Sequence, residues 1–253
     1  MPRLNIVIPM AGAGSRFTVA GYLDPKPLIK INGIEMIRIV INNIRPNLDH
    51  RFIFICQQSH IDTYNLKSKL TAWCPGCLVI GLSAITEGAA CTVLAARDII
   101  DTDDPLMVVN SDQYVNANID DYLKRMEDSR LAGLIMTMKA NDPKWSFVRL
   151  DHNNEVTEVV EKKVISDEAT VGIYNFSNGR SFVFFSDSMI ANNLRVNSEF
   201  YVAPVYNQMI ASGLRVGIYN IGTETDGMYG LGTPSDLEFF KTTPICNKAT
   251  TLL

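Results

Sequence analysis

Over its first 110 residues the chain alternates short runs rich in Ile and Val with amphipathic stretches, and few architectures tolerate that rhythm. Residues 4–9, 51–56, 78–82 and 106–109 have the length and apolar texture of buried strands. Between them, residues 35–44 place Ile37, Val40, Ile41 and Ile44 at helical spacing, and 60–70 and 89–100 also read as helices. Parallel neighbours need a crossover between them, so strands alternating with helices predict a parallel sheet covered on both faces. The expected fold is α/β, a Rossmann-like three-layer sandwich around a mostly parallel, mixed sheet.

The rhythm changes after a helix expected at 121–126. Residues 134–139, 147–151, 156–161 and 171–176 are strand-like with short polar turns, and Asp151-His152-Asn153-Asn154 marks a hairpin. The second half is therefore expected to insert antiparallel strands. Helices are expected at 186–192, 199–211 and 234–240, with a last strand at 214–220. No repeat period is present, and in particular no hexapeptide array that would build a β-helix. We read residues 1–253 as one domain with two halves, 1–115 and 116–253.

Composition narrows the function classes. With 47% hydrophobic and 20% charged residues the chain carries enough apolar material for one large core. A net charge of -4 argues against nucleic acid as a partner. No apolar run approaches the ~18 residues of a membrane span, and residues 1–5 lead into the first strand without a signal-peptide pattern. The expectation is a cytoplasmic protein with no membrane partner. Five cysteines (Cys56, Cys74, Cys77, Cys91, Cys246) form an odd, scattered set, expected as thiols. Cys74-Pro75-Gly76-Cys77 has redox-motif spacing, but a strand-like run follows it where a helix would be needed, so it reads as a turn.

The chemistry concentrates after the first strand. Met10-Ala11-Gly12-Ala13-Gly14-Ser15-Arg16-Phe17 is a small-residue loop whose backbone N–H groups can approach phosphate oxygens, and Arg16 and Lys26 offer two positive charges. Phe17 stands where the dinucleotide fingerprint requires a third glycine, and the Gly-Lys-Ser/Thr ending of a P-loop is absent. Asp112 follows the apolar run 106–109, where open α/β sheets place their ligands. A hard cation bridging phosphates requires such an oxygen anchor.

These segments together resemble the sugar-phosphate nucleotidylyltransferases, also called nucleoside-diphosphate-sugar pyrophosphorylases. That family's signature is a first strand, G-x-G-[ST]-R-[FL], then P-K-P-L; here Gly12 to Phe17 and Pro25 to Leu28 supply both parts in order. Weaker correspondences run almost to the C-terminus. The resemblance makes 1–115 the nucleotide-binding half and 116–253 the acceptor-binding half. It implies Arg16, Lys26 and Asp112 as catalytic residues, Mg²⁺ on Asp112, and a nucleotide site formed by Met10 to Arg16, Lys26, Ser83 and Gly88. Ser111 replaces the family's glycine before Asp112, and Ser83 stands where thymidylyl-type members carry glutamine. Glu161, Lys162, Gly172 and Glu199 are implied on the acceptor side. Where the family closes with aromatic-x-Asp-x-Gly-Thr, this chain has Gly230 at the carboxylate's place, so either Asp226 reaches in as second metal ligand, which is the expectation, or Asp112, phosphates and water alone hold the metal.

The implied reaction transfers a nucleotide from a nucleoside triphosphate to a small phosphorylated acceptor, most simply a sugar 1-phosphate, releasing pyrophosphate. Two alternatives stay open: a CTP-dependent cytidylyltransferase acting on a phosphorylated non-sugar such as phosphocholine or a phosphorylated amino-acid derivative, and a non-catalytic nucleotide-sugar-binding module. The sequence leaves the oligomeric state, including a homo-oligomer, open.

Overall fold

The computed structural model describes residues 2–251. Its main sheet contains β1 (Leu4–Met10), β4 (His50–Gln57), β5 (Leu78–Leu82), β6 (Leu106–Val109), β7 (Gln113–Val115), β8 (Gly133–Lys139), β9 (Ser146–Leu150), β10 (Val156–Glu161), β11 (Glu168–Phe176), β12 (Val216–Glu224) and β13 (Gly227–Gly230). β2 (Lys30–Ile31) and β3 (Ile34–Glu35) form a separate two-stranded ribbon. The order along the main sheet is β5-β4-β1-β6-β11-β8-β12-β13-β7, with the β9–β10 hairpin attached to β11. Along that path only β11 and β7 run against the other strands, so the sheet is mixed but mostly parallel, as the sequence implies.

Strand β1 is central because its side chains are apolar on both faces: Ile6, Val7 and Ile8 are each fully buried. Burial of each such side chain contributes roughly 1.5–3 kcal/mol. On one face Leu4, Ile6 and Ile8 pack with Ile37, Val40, Leu70 and Tyr122 from helices Met36–Asn43, Leu66–Trp73 and Ile119–Asp128. On the other, Val7 and Ile53 pack with Val93, Phe182 and Tyr206 from Ala89–Leu94, Gly179–Ala191 and Val205–Ala211. This is the three-layer arrangement.

The helix boundaries differ from the sequence reading for identifiable reasons. The stretch 60–70 is broken at Asn65, whose φ of 50° ends Gln58–Tyr64 before Leu66–Trp73 begins. The stretch 89–100 is interrupted where the amides of Ala95 and Ala96 bond three residues back, separating Ala89–Leu94 from Arg97–Ile100. The helix expected at 186–192 starts earlier, at Gly179, because the Asn178 side chain caps it by accepting from Ser181 N at 2.8 Å. The helix expected at 199–211 starts only at Val205. Residues 196–199 instead form a tight turn with mutual bonds between Val196 and Glu199, and Phe200 pairs with the 87–90 segment. The hairpin turn at 151–154 is present, closed by Asp151 N donating to Glu155 O at 2.9 Å. The short strands β7 and β13 and the helix Pro244–Thr251 had no periodic signal to reveal them.

Candidate active site

The ends of β1, β4 and β6 meet at one rim of the sheet, and the glycine loop lies across it. Gly14, with φ of 62°, turns the chain into the short helix Ser15–Val19. Phe17, 1% exposed, anchors that helix in a satellite core with Ile29, Ile31 and Tyr114. Ser15 and Arg16 stay exposed. The loop is pinned from β4, where Gln57 Nε2 donates to Ala11 O at 3.1 Å and Gly12 O at 3.0 Å. Gln57 is a functional support that sequence reading missed, since an isolated glutamine at a strand end carries no pattern.

A cavity of about 240 Å³ opens beside the loop, lined by Gly14, Ser15, Arg16, Phe17, Lys26, Asp112 and Gly232. Lys26, held between Pro25 and Pro27, places Nζ 2.8 Å from Asp112 Oδ2, and both side chains are 24% exposed. Asp112 is fixed by its backbone: Leu231 N donates to Asp112 O at 2.8 Å. A Cβ on Gly232 would stand 2.7 Å from Asp112 Oδ2, so glycine there is what lets the carboxylate lie against the chain. The structure thus brings together Gly14, Ser15, Arg16, Lys26 and Asp112; Met10 and Ala11 lie buried beneath them, and Gly12 and Ala13 form the exposed crest.

Asp226 is not part of this group. It occupies the exposed turn between β12 and β13, while Gly230 pairs with Gln113 next to Asp112. Gly230 lies four residue steps beyond Asp226 along extended chain, a span of about 13 Å. The carboxylate that approaches the Gly230 position is Asp236, from helix Pro234–Lys241, whose Oδ2 lies 3.5 Å from where a Gly230 Cβ would stand. The expectation for Asp226 is corrected accordingly: a helix on the following segment, not the preceding turn, carries the nearby carboxylate.

Among the residues expected on the acceptor side, Glu161 is largely buried at the end of β10 and receives a short hydrogen bond from Ser146 Oγ. Burial pushes its carboxyl above the ordinary carboxylate range, against the opposing pull of Ser146 and Lys162. Lys162 Nζ donates to Tyr201 Oη at 2.6 Å and sits 4.7 Å from the Tyr201 ring centroid. That hydrogen bond leads the causes raising the lysine, whereas the tyrosine is raised mainly by burial. Gly172, with φ of 78°, accepts from Asn110 N at 2.9 Å. Glu199 is exposed in its tight turn; it does not begin a helix.

Ser83 is exposed after β5. Gly88, with φ of 134°, lies so close to Phe200 that a Cβ would stand 2.5 Å from its backbone N and O. Phe200 N donates to Glu87 O at 2.8 Å, Ala90 N to Phe200 O at 3.0 Å, and Arg195 pairs with Glu87 at 3.0 Å. The segment around Gly88 is thereby fastened to the one carrying Glu199 and Tyr201.

A covered, mostly parallel sheet with a glycine turn, two cations and a carboxylate at its strand ends defines an α/β protein that handles phosphorylated ligands. A family model described as "Nucleotidyl transferase" matches residues 6–199, and the chain belongs to that family. The bifunctional protein GlmU of Methanocaldococcus jannaschii is 24% identical over 177 residues, which is 68% of this chain and 40% of that protein, so the chain spans well under half of that relative. Among solved structures, the nucleoside-diphosphate-sugar pyrophosphorylase from Vibrio cholerae RC9 superposes with a TM-score of 0.80 at 24% identity, covering 94% of this chain and 100% of that one. The inositol-1-phosphate CTP transferase from T. maritima gives 0.76 at 13% identity, covering 100% of this chain and 97% of that one. These likenesses establish the fold. Among the described residues no helix is long and apolar enough to cross a membrane.

Proposed function

We propose that the protein transfers a nucleotide from a nucleoside triphosphate to a small phosphorylated acceptor, foremost a sugar 1-phosphate, with release of pyrophosphate. The observation that carries this reading is the Lys26–Asp112 pair at 2.8 Å, set at the mouth of the glycine-turn cavity beside Arg16. In-line attack of an acceptor phosphate oxygen on the α-phosphorus needs two anions held together, so positioning and charge neutralisation dominate over covalent catalysis. Loop backbone amides, Arg16 and Lys26 would hold the triphosphate. Lys162 would supply charge to the acceptor phosphate, and Glu161 would take hydrogen bonds from its hydroxyls.

The donor set fits Mg²⁺. Among the described residues no cluster of three or more His, Cys, Asp or Glu exists to cage an ion. Mg²⁺ needs only one or two carboxylates, with substrate phosphates and water completing its shell. Asp112, already facing a cation in Lys26, would hold it, with Asp236 as the candidate second oxygen donor. When bound, the ion neutralises charge developing on the phosphate oxygens.

The second reading, a cytidylyltransferase for a phosphorylated non-sugar, draws on Ser83 and Gly230 and on full-length overlap with the T. maritima CTP transferase fold. A coupled pyrophosphate-release screen tests both, crossing the common triphosphates with sugar 1-phosphates, inositol 1-phosphate and phosphocholine. Turnover with a sugar 1-phosphate supports the first reading, and turnover confined to phosphocholine the second. Triphosphate binding without any release leaves the non-catalytic binding module. A cytoplasmic enzyme of nucleotide-sugar supply for polysaccharide synthesis is the setting this reading implies.

A further inference from the structure

Buried polar groups in folded proteins almost always have partners, because an unpaired one loses its water without compensation. Among the described residues two buried donors at the edge of the candidate site break that rule: Gln113 Nε2 and Trp145 Nε1. Trp145 lies on the acceptor side, where its carbonyl accepts from Lys162 N at 3.1 Å. Gln113 is the more telling. It directly follows Asp112, is only 3% exposed, and its carboxamide lies against Gly172. A Cβ on Gly172 would stand 2.6 Å from Gln113 Oε1 and would also collide with the Asn110 amide. Gly230, its cross-strand partner, contributes no side chain either. The unsatisfied N–H of Gln113, on β7, thus belongs to a carboxamide lying against Gly172 of β11, the strand that also carries Tyr174, whose hydroxyl bonds Thr170 near buried Glu161.

Resting on the transferase reading above, we propose that Gln113 determines acceptor specificity by donating its carboxamide N–H to a hydroxyl oxygen of a polyol-bearing acceptor phosphate. The site's cations already serve the phosphates, and a neutral amide suits a neutral oxygen. Glu161 accepts where Gln113 donates, and a hydroxyl can do both, whereas a quaternary ammonium group can do neither. The acceptor class is therefore a phosphorylated sugar or cyclitol and not phosphocholine.

The test uses the triphosphate and acceptor giving the fastest pyrophosphate release in the screen, with wild type and Gln113→Met, a change close to volume-conserving. The Met variant is expected to raise the acceptor KM about 10-fold, leave the triphosphate KM within about 2-fold, and discriminate less between the acceptor and its deoxy analogues. Its melting temperature without ligand is expected to hold or rise, because an unpaired buried amide is removed. A fall in melting temperature with the acceptor KM unchanged makes Gln113 a structural residue and overturns the proposal. Equal rises in both KM values, or phosphocholine as the preferred acceptor, overturn it as well. No release from wild type with any pair removes the transferase reading itself, whereas release with an unaltered acceptor KM in the variant removes only the role of Gln113.

Discussion

The two ends of the candidate site are built by opposite means. The end proposed for the triphosphate is a loop of backbone and long cations: Gly12, Ala13, Ser15 and Arg16 are exposed, and Lys26 and Asp112 pair at 2.8 Å in the lining of the cavity. The end proposed for the acceptor sets buried side chains, with Glu161, Ser146, Thr170 and Gln113 each under a tenth exposed, beneath exposed Lys162 and Glu199. A polyphosphate brings its own charge and needs flexible cations and dipoles to meet it. A small neutral hydroxyl surface needs fixed donors and acceptors in a dry place, where each hydrogen bond discriminates more strongly. The contrast separates charge neutralisation from recognition along one continuous sheet.

The sharpest way to break the comparison is at Asp112. Asp112→Asn is expected to lower pyrophosphate release by about 10³-fold while leaving the far-ultraviolet circular dichroism unchanged, because the charge serves the reaction more than the fold. Wild-type rates in that variant would take the anchor away from this end of the site.

Next comes Gly232→Ala. Its methyl group meets the free end of the Asp112 side chain, which yields by turning, so the fold is expected to survive while the carboxylate leaves its position. A drop of about 10²-fold in turnover with little change in melting temperature is expected, in keeping with the sensitivity of such sites to displacements near 1 Å.

At the acceptor end, Lys162→Met removes the charge and its bond to Tyr201. Steady-state kinetics should show an acceptor KM raised about 10-fold and a triphosphate KM nearly unchanged, the size of one lost charge-assisted hydrogen bond. Equal changes in both constants would merge the two ends that the comparison keeps apart.

The smallest effect concerns pH. Burial raises the Glu161 carboxyl in the folded protein, so folding favours its protonated form relative to the unfolded chain. That contribution is fully present below the unfolded carboxylate range and is lost as pH rises through the raised folded value. Calorimetry of Glu161→Gln should therefore show the variant gaining melting temperature relative to wild type as pH rises from about 4, near the ordinary glutamate value, to about 8. A constant difference across that span would place Glu161 in a wetter setting than its burial indicates.

Legibility followed the same division. The glycine turn, Arg16, Lys26 and Asp112 could be read because their neighbours in space are also neighbours of a strand end in sequence, and the structure gathers them around one cavity. The errors fell where distant segments decide local form. Glu199 was read into a helix, but residues 196–200 are held by Arg195, Glu87 and the 87–90 backbone, contacts more than a hundred residues apart in sequence. Asp226 was expected at the metal because it precedes Gly230, yet β13 runs extended and carries it away, while a helix folds Asp236 back toward the same position. Gln57 and Gln113 showed no signal at all, since a single amide acquires meaning only from what surrounds it.

By itself the sequence determined the α/β layering and the character of the triphosphate loop. Hydrophobic periodicity and glycine torsions are local properties, set within a few residues whatever the rest of the chain does. The tertiary structure alone decided which carboxylate stands beside Gly230, which loops are fastened together, and which amide is left unpaired against Gly172. Burial and partnering are relations between segments, and they come into being only when the sheet has closed over them.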